Sequence, residues 1–337
     1  MGHELTSVGG FPTWYDLMPQ GTDQGHWAYS ASHALRDFFQ QVEVRELWLP
    51  GFYCPDTVHF LSQFFSVHRY AADHPGQPGI PAMAQPGHGI VFYPPLGQTA
   101  GCRLPALAEM QARRLHSVLD LVHDLHAAPY WHAQGWNTVV SFRKFYPVPC
   151  GAQLLSAQLP PNAEQLCNAN QAATELNAAW LALLQPRTAG YAQFKQHEAQ
   201  VHQADAALPT WLPKLISCLN GAEFQARRQA AYGWLDQQLG HLNQFFDATG
   251  CARACAGAPI AYPFYRAGLD SPRLRQRLAA EGIFIPHFWP GMDHPEGPSA
   301  WHDCLLLPTG PLLSTPQLER LKAQLLPLIH SFTEDSP

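Results

Sequence analysis

Short apolar runs recur through the first half of the chain, closed by proline, glycine or an acid, with polar stretches of helical spacing between them. Residues 26–41 carry Leu35, Phe38 and Phe39 on one side, which predicts a helix. Residues 46–50, Glu-Leu-Trp-Leu-Pro, predict a short buried strand, and 56–65 the helix after it. A strand is expected at 89–93, stopped by Pro94 and Pro95, followed by a helix over 104–114 and a strand over 115–122. Further strands are expected at 137–142 and 153–157. Short apolar strands alternating with helices indicate an α/β fold built on a mainly parallel sheet.

The character changes after about residue 160. Residues 163–200 and 222–246 are long, polar, alanine- and glutamine-rich helical stretches. Strands are then expected at 259–265 and 282–286 with a helix at 273–281 between them, then a strand from Cys304 and a helix over 316–329. The change divides the chain into a large α/β domain, 1–220, with an N-terminal arm, and a smaller α+β domain, 221–337.

Composition narrows the function. A chain of 337 residues that is 46% hydrophobic and 14% charged can bury a large core and leaves less charged surface than usual. The net charge of −6 offers no basic face for nucleic acid. No apolar run approaches the roughly 20 residues of a membrane span. The start, Met-Gly-His-Glu-Leu-Thr, lacks the basic-then-apolar pattern of a secretion signal, and the eight cysteines are scattered. A cytoplasmic protein with reduced thiols is the expectation. Cys251 and Cys255 with the histidines at 287, 294 and 302 fit no standard zinc spacing, so no metal is expected.

Lysine is scarce. The four are Lys144, Lys195, Lys214 and Lys322, and only Lys144 follows an apolar strand, in Ser141-Phe-Arg-Lys144-Phe-Tyr-Pro-Val-Pro-Cys-Gly151. A lysine at the end of a buried strand is costly unless its amine has a purpose, and the commonest is to form a Schiff base with a carbonyl or with pyridoxal phosphate. One strand–connection–strand unit upstream, Val118-Leu-Asp120-Leu-Val-His123-Asp124 ends another apolar strand in an acid. Pyridoxal phosphate needs such a pair: a lysine for its aldehyde and a carboxylate that keeps its ring nitrogen protonated. Its phosphate needs hydroxyls and amides at a helix start, which Ser30, Ala31 and Ser32 supply. Each residue also has an ordinary reading. Lys144 alone would be a surface lysine, Asp120 a helix cap with Asp124 as competitor, His123 a satisfied structural histidine, and Phe52 and Tyr53 core aromatics.

The segment Ser-Phe-Arg-Lys-Phe-Tyr-Pro-Val-Pro-Cys-Gly-Ala resembles the Ser-x-Arg-Lys-x-x-Pro-x-Pro-Asp-Gly-Gly segment of a short branch of the DegT/DnrJ/StrS-type pyridoxal-phosphate sugar aminotransferases. Leu49-Pro-Gly-Phe-Tyr-Cys54, Leu119-Asp120-Leu-Val-His123 and Ser30-Ala-Ser-His-Ala-Leu-Arg resemble other motifs of that branch. So do Ala261-Tyr-Pro-Phe, Gly282-Ile-Phe-Ile-Pro and Phe288-Trp-Pro, and the set runs in the family's order from about 26 to 330. Four positions depart from the pattern: Cys150 and Ala152, where Cys150-Gly151-Ala152 stands for Asp-Gly-Gly, Ala31 for a glycine, and Leu119 for an acid.

The resemblance implies an aspartate-aminotransferase-like fold (fold type I) and a homodimer that transfers an amino group from an amino acid such as glutamate to a keto or aldehyde acceptor such as a sugar nucleotide. It makes Lys144 the Schiff-base lysine and Asp120 the partner of the pyridine nitrogen, with His123 near the ring's phenolic oxygen. It gives the phosphate to Ser141, Ser30 and the Ala31 amide, and the ring to an aromatic of the Phe52-Tyr53 pair, with Tyr53 favoured. Two alternatives stay open: another pyridoxal-phosphate reaction on the same scaffold (elimination, dehydration or racemisation), and an inactive homologue acting as a binding protein.

Overall fold

The computed structural model describes residues 25–70, 79–97, 104–159, 208–251, 253, 259–286 and 300–334. Its centre is a seven-stranded sheet: β1 (His26–Ala28), β2 (Glu46–Pro50), β3 (Ser66–Tyr70), β4 (Gly89–Phe92), β5 (His116–Asp120), β6 (Thr138–Ser141) and β7 (Ala152–Leu155). The spatial order is β1-β7-β6-β5-β4-β2-β3. Only β7 runs against the rest, since it pairs antiparallel with both β6 and β1 while every other pairing is parallel. Central strands are apolar throughout because layers cover both faces: β4 is buried at all four positions.

Register and alternation place the chemistry. Phe92 lies opposite Leu119, Asp120 opposite Val139, Ser141 opposite Ala152, and Ala152 opposite Ala28. The carboxyl ends of β1, β4, β5 and β6 therefore finish along one edge. Side chains alternate between faces. Val91, Tyr93, Val118, Val122 and Val139 share one apolar cluster with Leu35, Phe38 and Phe39 of helix α1 (Ala31–Gln41). Ile90, Phe92, Leu119 and Val140 fill the opposite cluster, with Met110, Leu212 and Ile216. Asp120 and Ser141 thus belong to the α1 face, at the rim where it meets the sheet's end.

Several expected boundaries differ. Residues 26–28 form a strand, because pairing of Trp27 with Gln153 in β7 outweighs local helical spacing; the helix begins only after Ser30, whose side chain caps it by accepting from the His33 amide. Strand β3, Ser-Val-His-Arg-Tyr, was not expected, since as an edge strand it is half-exposed and carries no apolar run. The stretch 222–246 divides into α6 (Gly221–Leu239) and α7 (Phe245–Thr249). Between α1 and α6 come, in chain order, α2 (Pro55–Leu61), α3 (Leu107–Ala112), α4 (Ala128–Ala133) and α5 (Trp211–Cys218). No strand forms at 282–286. Gly282 takes φ +73° and the Ile283 amide returns to the Leu278 carbonyl at 2.8 Å, so this stretch closes the end of helix α8 (Ser271–Ala280). The helix expected at 163–200 lies outside the described residues.

In the C-terminal half, β8 (Ala261–Phe264) pairs antiparallel with β9 (Leu305–Pro308). Around them α6, α8, α9 (Ala300–Asp303) and α10 (Thr315–Glu334) contribute a cluster that includes Tyr262, Phe245, Leu274 and Leu325. Asn243 ties it together. Its amide donates to the Tyr262 hydroxyl (2.9 Å) and the Pro263 carbonyl (2.8 Å), and its oxygen accepts from the Phe245 and Tyr265 amides (both 3.0 Å). A buried side chain with every bond satisfied is expensive to delete, because its partners are left dry and unpaired. Asn243→Ala should lower unfolding stability by about 3 kcal/mol, read as a drop in the urea midpoint. Gln244→Ala, which loses one exposed bond to the Ala267 amide, should shift the midpoint far less.

Candidate active site

Asp120 ends β5 and is buried. Its Oδ1 accepts the Val122 amide at 2.9 Å, and its Oδ2 accepts the hydroxyl of Tyr53. Burial raises its pKa above the ordinary value, while the Tyr53 bond, the Val122 amide and the charge of Lys144 oppose the rise. Tyr53 reaches it from the turn after β2, where the Tyr53 amide closes onto the Pro50 carbonyl at 3.0 Å. Burial pushes the Tyr53 phenol well up, and Asp120 adds to the push. Both phenols therefore remain hydroxyl donors, since Tyr93 shifts the same way for the same leading reason.

His123 sits three residues beyond Asp120. Its Nδ1 lies 2.7 Å from the Tyr93 hydroxyl and accepts the Leu96 amide at 3.3 Å. The turn that presents that amide follows β4, with Leu96 at φ +58° and Gly97 at φ +73°. A Cβ on Gly97 would stand 2.4 Å from the His123 carbonyl oxygen, so only glycine allows the approach. Burial holds the imidazole well below its ordinary pKa, and Lys144 lowers it further.

Lys144 closes the 3-10 turn Phe142–Lys144 directly after β6. Its Nζ is 3.1 Å from His123 Nε2. Two contacts fix the turn. The Phe142 amide donates to the Gly151 carbonyl at 2.9 Å, and the Gly151 amide donates to the Tyr29 carbonyl at 2.8 Å, with Gly151 at φ +108°. From α6, buried Arg228 donates to the Lys144 and Phe145 carbonyls at 3.4 Å each and lies 4.9 Å above the Phe145 ring. The start of α1 comes to the same edge: Ser141, Ala152 and Ala28 stand in one row across three strands, two residues before Ser30. Ser30 Oγ is 2.8 Å from His33 Nδ1, and Ala31 opens the helix. Ser141 is buried at the end of β6.

The structure thus links Lys144 to His123 and Tyr53 to Asp120 by direct bonds, and sets Ser141, Ser30 and Ala31 on the same edge. Tyr53 has its hydroxyl on Asp120 and its ring edge-on to Tyr93, with centroids 5.5 Å apart. Asp124, the competitor, is buried beneath Gly97 and starts the turn Leu125–Ala127. Tyr93, the Leu96–Gly97 turn and Arg228 were missed in the sequence. Tyr93 carried a usable signal, an aromatic hydroxyl one residue past an apolar strand and before Pro-Pro. Arg228 carried none, because its partners are distant carbonyls. Among the described residues no three His, Cys, Asp or Glu side chains form a metal site, and no helix is long and apolar enough to cross a membrane. Cys255, His287 and His294 lie outside them.

No protein-family model matches the chain, and no curated protein matches it by sequence. Solved structures do. An aminotransferase, TlmJ, from Streptoalloteichus hindustanus is 16% identical with a TM-score of 0.58, over 92% of this chain and 87% of that one. A putative sugar aminotransferase, Spr1654, from Streptococcus pneumoniae, in its PMP form, is 13% identical with a TM-score of 0.54, over 92% and 89%. A DegT DnrJ EryC1 StrS aminotransferase from Brucella abortus is 10% identical with a TM-score of 0.53, over 91% and 85%. The chain shares the fold of these aminotransferases. In an open α/β sheet of this kind ligands settle outside the carboxyl ends of the strands, which is where Asp120, His123 and Lys144 meet.

His123 also links the site to stability. A histidine that the fold keeps neutral takes up its proton on unfolding, so its contribution is complete above the ordinary value of 6.5 and is lost as pH falls below it. His126 and His116, also lowered by burial, act in the same direction. Asp120, raised above 3.8 by burial, has the opposite sign and offsets part of that fall. The urea midpoint should therefore fall between pH 7 and pH 5, and His123→Gln should flatten that slope; an unchanged slope would show that His123 is not kept neutral.

Proposed function

We propose that the chain is a pyridoxal-phosphate-dependent aminotransferase that moves an amino group from an amino-acid donor, glutamate in our reading, to the keto or aldehyde group of a sugar nucleotide. The observation that carries this is the Lys144 amine, 3.1 Å from His123 Nε2 and on the same sheet edge as buried Asp120, in a fold shared with sugar aminotransferases. The donor set suits the cofactor: an amine for its aldehyde, a buried carboxyl for its ring nitrogen, an imidazole beside the amine, and a helix start with a hydroxyl for its phosphate. When bound, pyridoxal phosphate supplies an electron sink that weakens the Cα–H bond of an amino acid, and carries the nitrogen between substrates.

Each residue then has a task. Lys144 Nζ would hold the cofactor through its aldehyde and would serve as the base that moves a proton at the amino acid's Cα. Asp120 keeps a proton on the ring nitrogen. Its burial and the Tyr53 hydroxyl set how much of its charge that nitrogen meets. His123 offers its Nε2 face to the phenolic oxygen. Ser30, the Ala31 amide and Ser141 take the phosphate, and Tyr53 is our candidate for contact with the ring. Arg228 braces the main chain of Lys144, which would hold the amine on a fixed pivot. The same reading makes the protein a cytoplasmic homodimer of fold type I, each chain divided into domains 1–220 and 221–337. The 14% charged content and ten tryptophans support a large buried interface.

The purified protein with pyridoxal phosphate should show an absorbance band near the visible edge that borohydride abolishes and that glutamate displaces. Asp120→Asn should keep the band and lose about 100-fold or more in turnover, the range for removing one preorganised electrostatic group. A near-normal rate in Asp120→Asn with a dead Asp124→Asn would move the role to Asp124. A protein without the band would act as a binding homologue instead.

A further inference from the structure

The contacts around His123 decide which ring nitrogen carries its hydrogen. A backbone amide can only donate. The Leu96 N–H points to Nδ1 at 3.3 Å, so Nδ1 is an acceptor, and the Tyr93 hydroxyl at 2.7 Å is a second donor to the same nitrogen. A neutral imidazole that accepts at Nδ1 carries its hydrogen on Nε2. That N–H faces Lys144 Nζ across 3.1 Å. An ammonium there would bring two hydrogens into one short gap; a neutral amine accepts the hydrogen bond.

We propose that the Tyr93–Gly97 turn locks His123 as its Nε2–H tautomer, and that this N–H holds the Lys144 amine deprotonated and aimed at the carbonyl of an incoming aldehyde, with which it condenses to a C=N bond as the carbonyl oxygen leaves as water with the two amine hydrogens. His123 and Tyr93 are positioning residues in this step. The turn is built for it: Leu96 and Gly97 both take left-handed backbone, Gly97 presses on the His123 carbonyl, and the Leu96 side chain is buried in the cluster of the C-terminal half. Burial independently keeps the ring from becoming a cation. The group that opposes a neutral amine is Asp120, whose carboxyl is engaged by Tyr53 and by the Val122 amide. The other ionisable groups nearby are Tyr53, Tyr93 and Cys54, which interact with Asp120 or with one another, Arg143 and Asp124 in the adjoining turns, and Arg228 on the carbonyl side of Lys144. This deepens the assignment of Lys144 as cofactor lysine but is tested without cofactor, so it can fail while that assignment stands.

The full chain, stripped of cofactor, is treated with trace isotopic acetic anhydride from pH 6 to pH 11, and acetylation of Lys144 is read by peptide mass spectrometry against an added lysine peptide. At pH 7 Lys144 should react about tenfold or more faster than the peptide. His123→Phe should remove that advantage at pH 7 and leave the rate at pH 11, where every amine is neutral, nearly unchanged. An equal loss at both pH values would mean that His123 affects access alone, and would overturn the proposal. Ring nitrogen NMR of His123 in the unaltered protein gives a test independent of any variant. The Nε2–H pattern is expected, and an Nδ1–H or doubly protonated ring would overturn the proposal.

Discussion

Asp120 is buried at the end of a parallel strand, and a buried carboxyl there requires partners. Tyr53 and the Val122 amide answer that demand, and each comes from a segment whose path is thereby fixed. The Tyr53 hydroxyl draws in the turn after β2. Its ring meets Tyr93 from β4, whose hydroxyl reaches His123, and His123 reaches Lys144 from β6. Four adjacent strand ends are thus tied by polar contacts in a dry environment, where each contact is stronger than in water and each omission costlier.

The departures from the family pattern fall where packing absorbs them. Leu119 points away from Asp120 into the opposite apolar cluster, so the site loses no contact by its being apolar. Cys150 and Ala152 are fully buried beside the Gly151 turn, and burial pushes the Cys150 thiol up, leaving a neutral packing group in place of a carboxylate. Gly151, where φ is +108°, is retained, and with it the hydrogen bonds that fix the turn before Lys144 and the segment before Ser30. Low identity to solved structures is therefore compatible with the same sheet edge.

Strands β2, β4, β5 and β6 were legible because parallel strands covered on both faces are apolar runs, and a proline or an acid marks the end of the first three. Lys144 and Asp120 were legible because charge at the end of such a strand breaks an otherwise simple pattern. β1 and β3 were not: one is three residues long and exists through its pairing with β7, and the other is a half-exposed edge. The apolar stretch at 282–286 read as a strand because periodicity does not distinguish a strand from a helix-capping segment. Leu96 and Arg228 act through distance and direction, an amide to a ring nitrogen and a guanidinium to two carbonyls, and such partnerships leave no spacing in the chain.

Borohydride reduction of the protein loaded with pyridoxal phosphate, followed by peptide mapping, tests the assignment of Lys144 most directly. The scarcity of lysine makes the result unambiguous, with four candidates in the whole chain. The pyridoxyl group should be found on Lys144. Label on Lys195, Lys214 or Lys322 instead would contradict a site centred on the ends of β5 and β6.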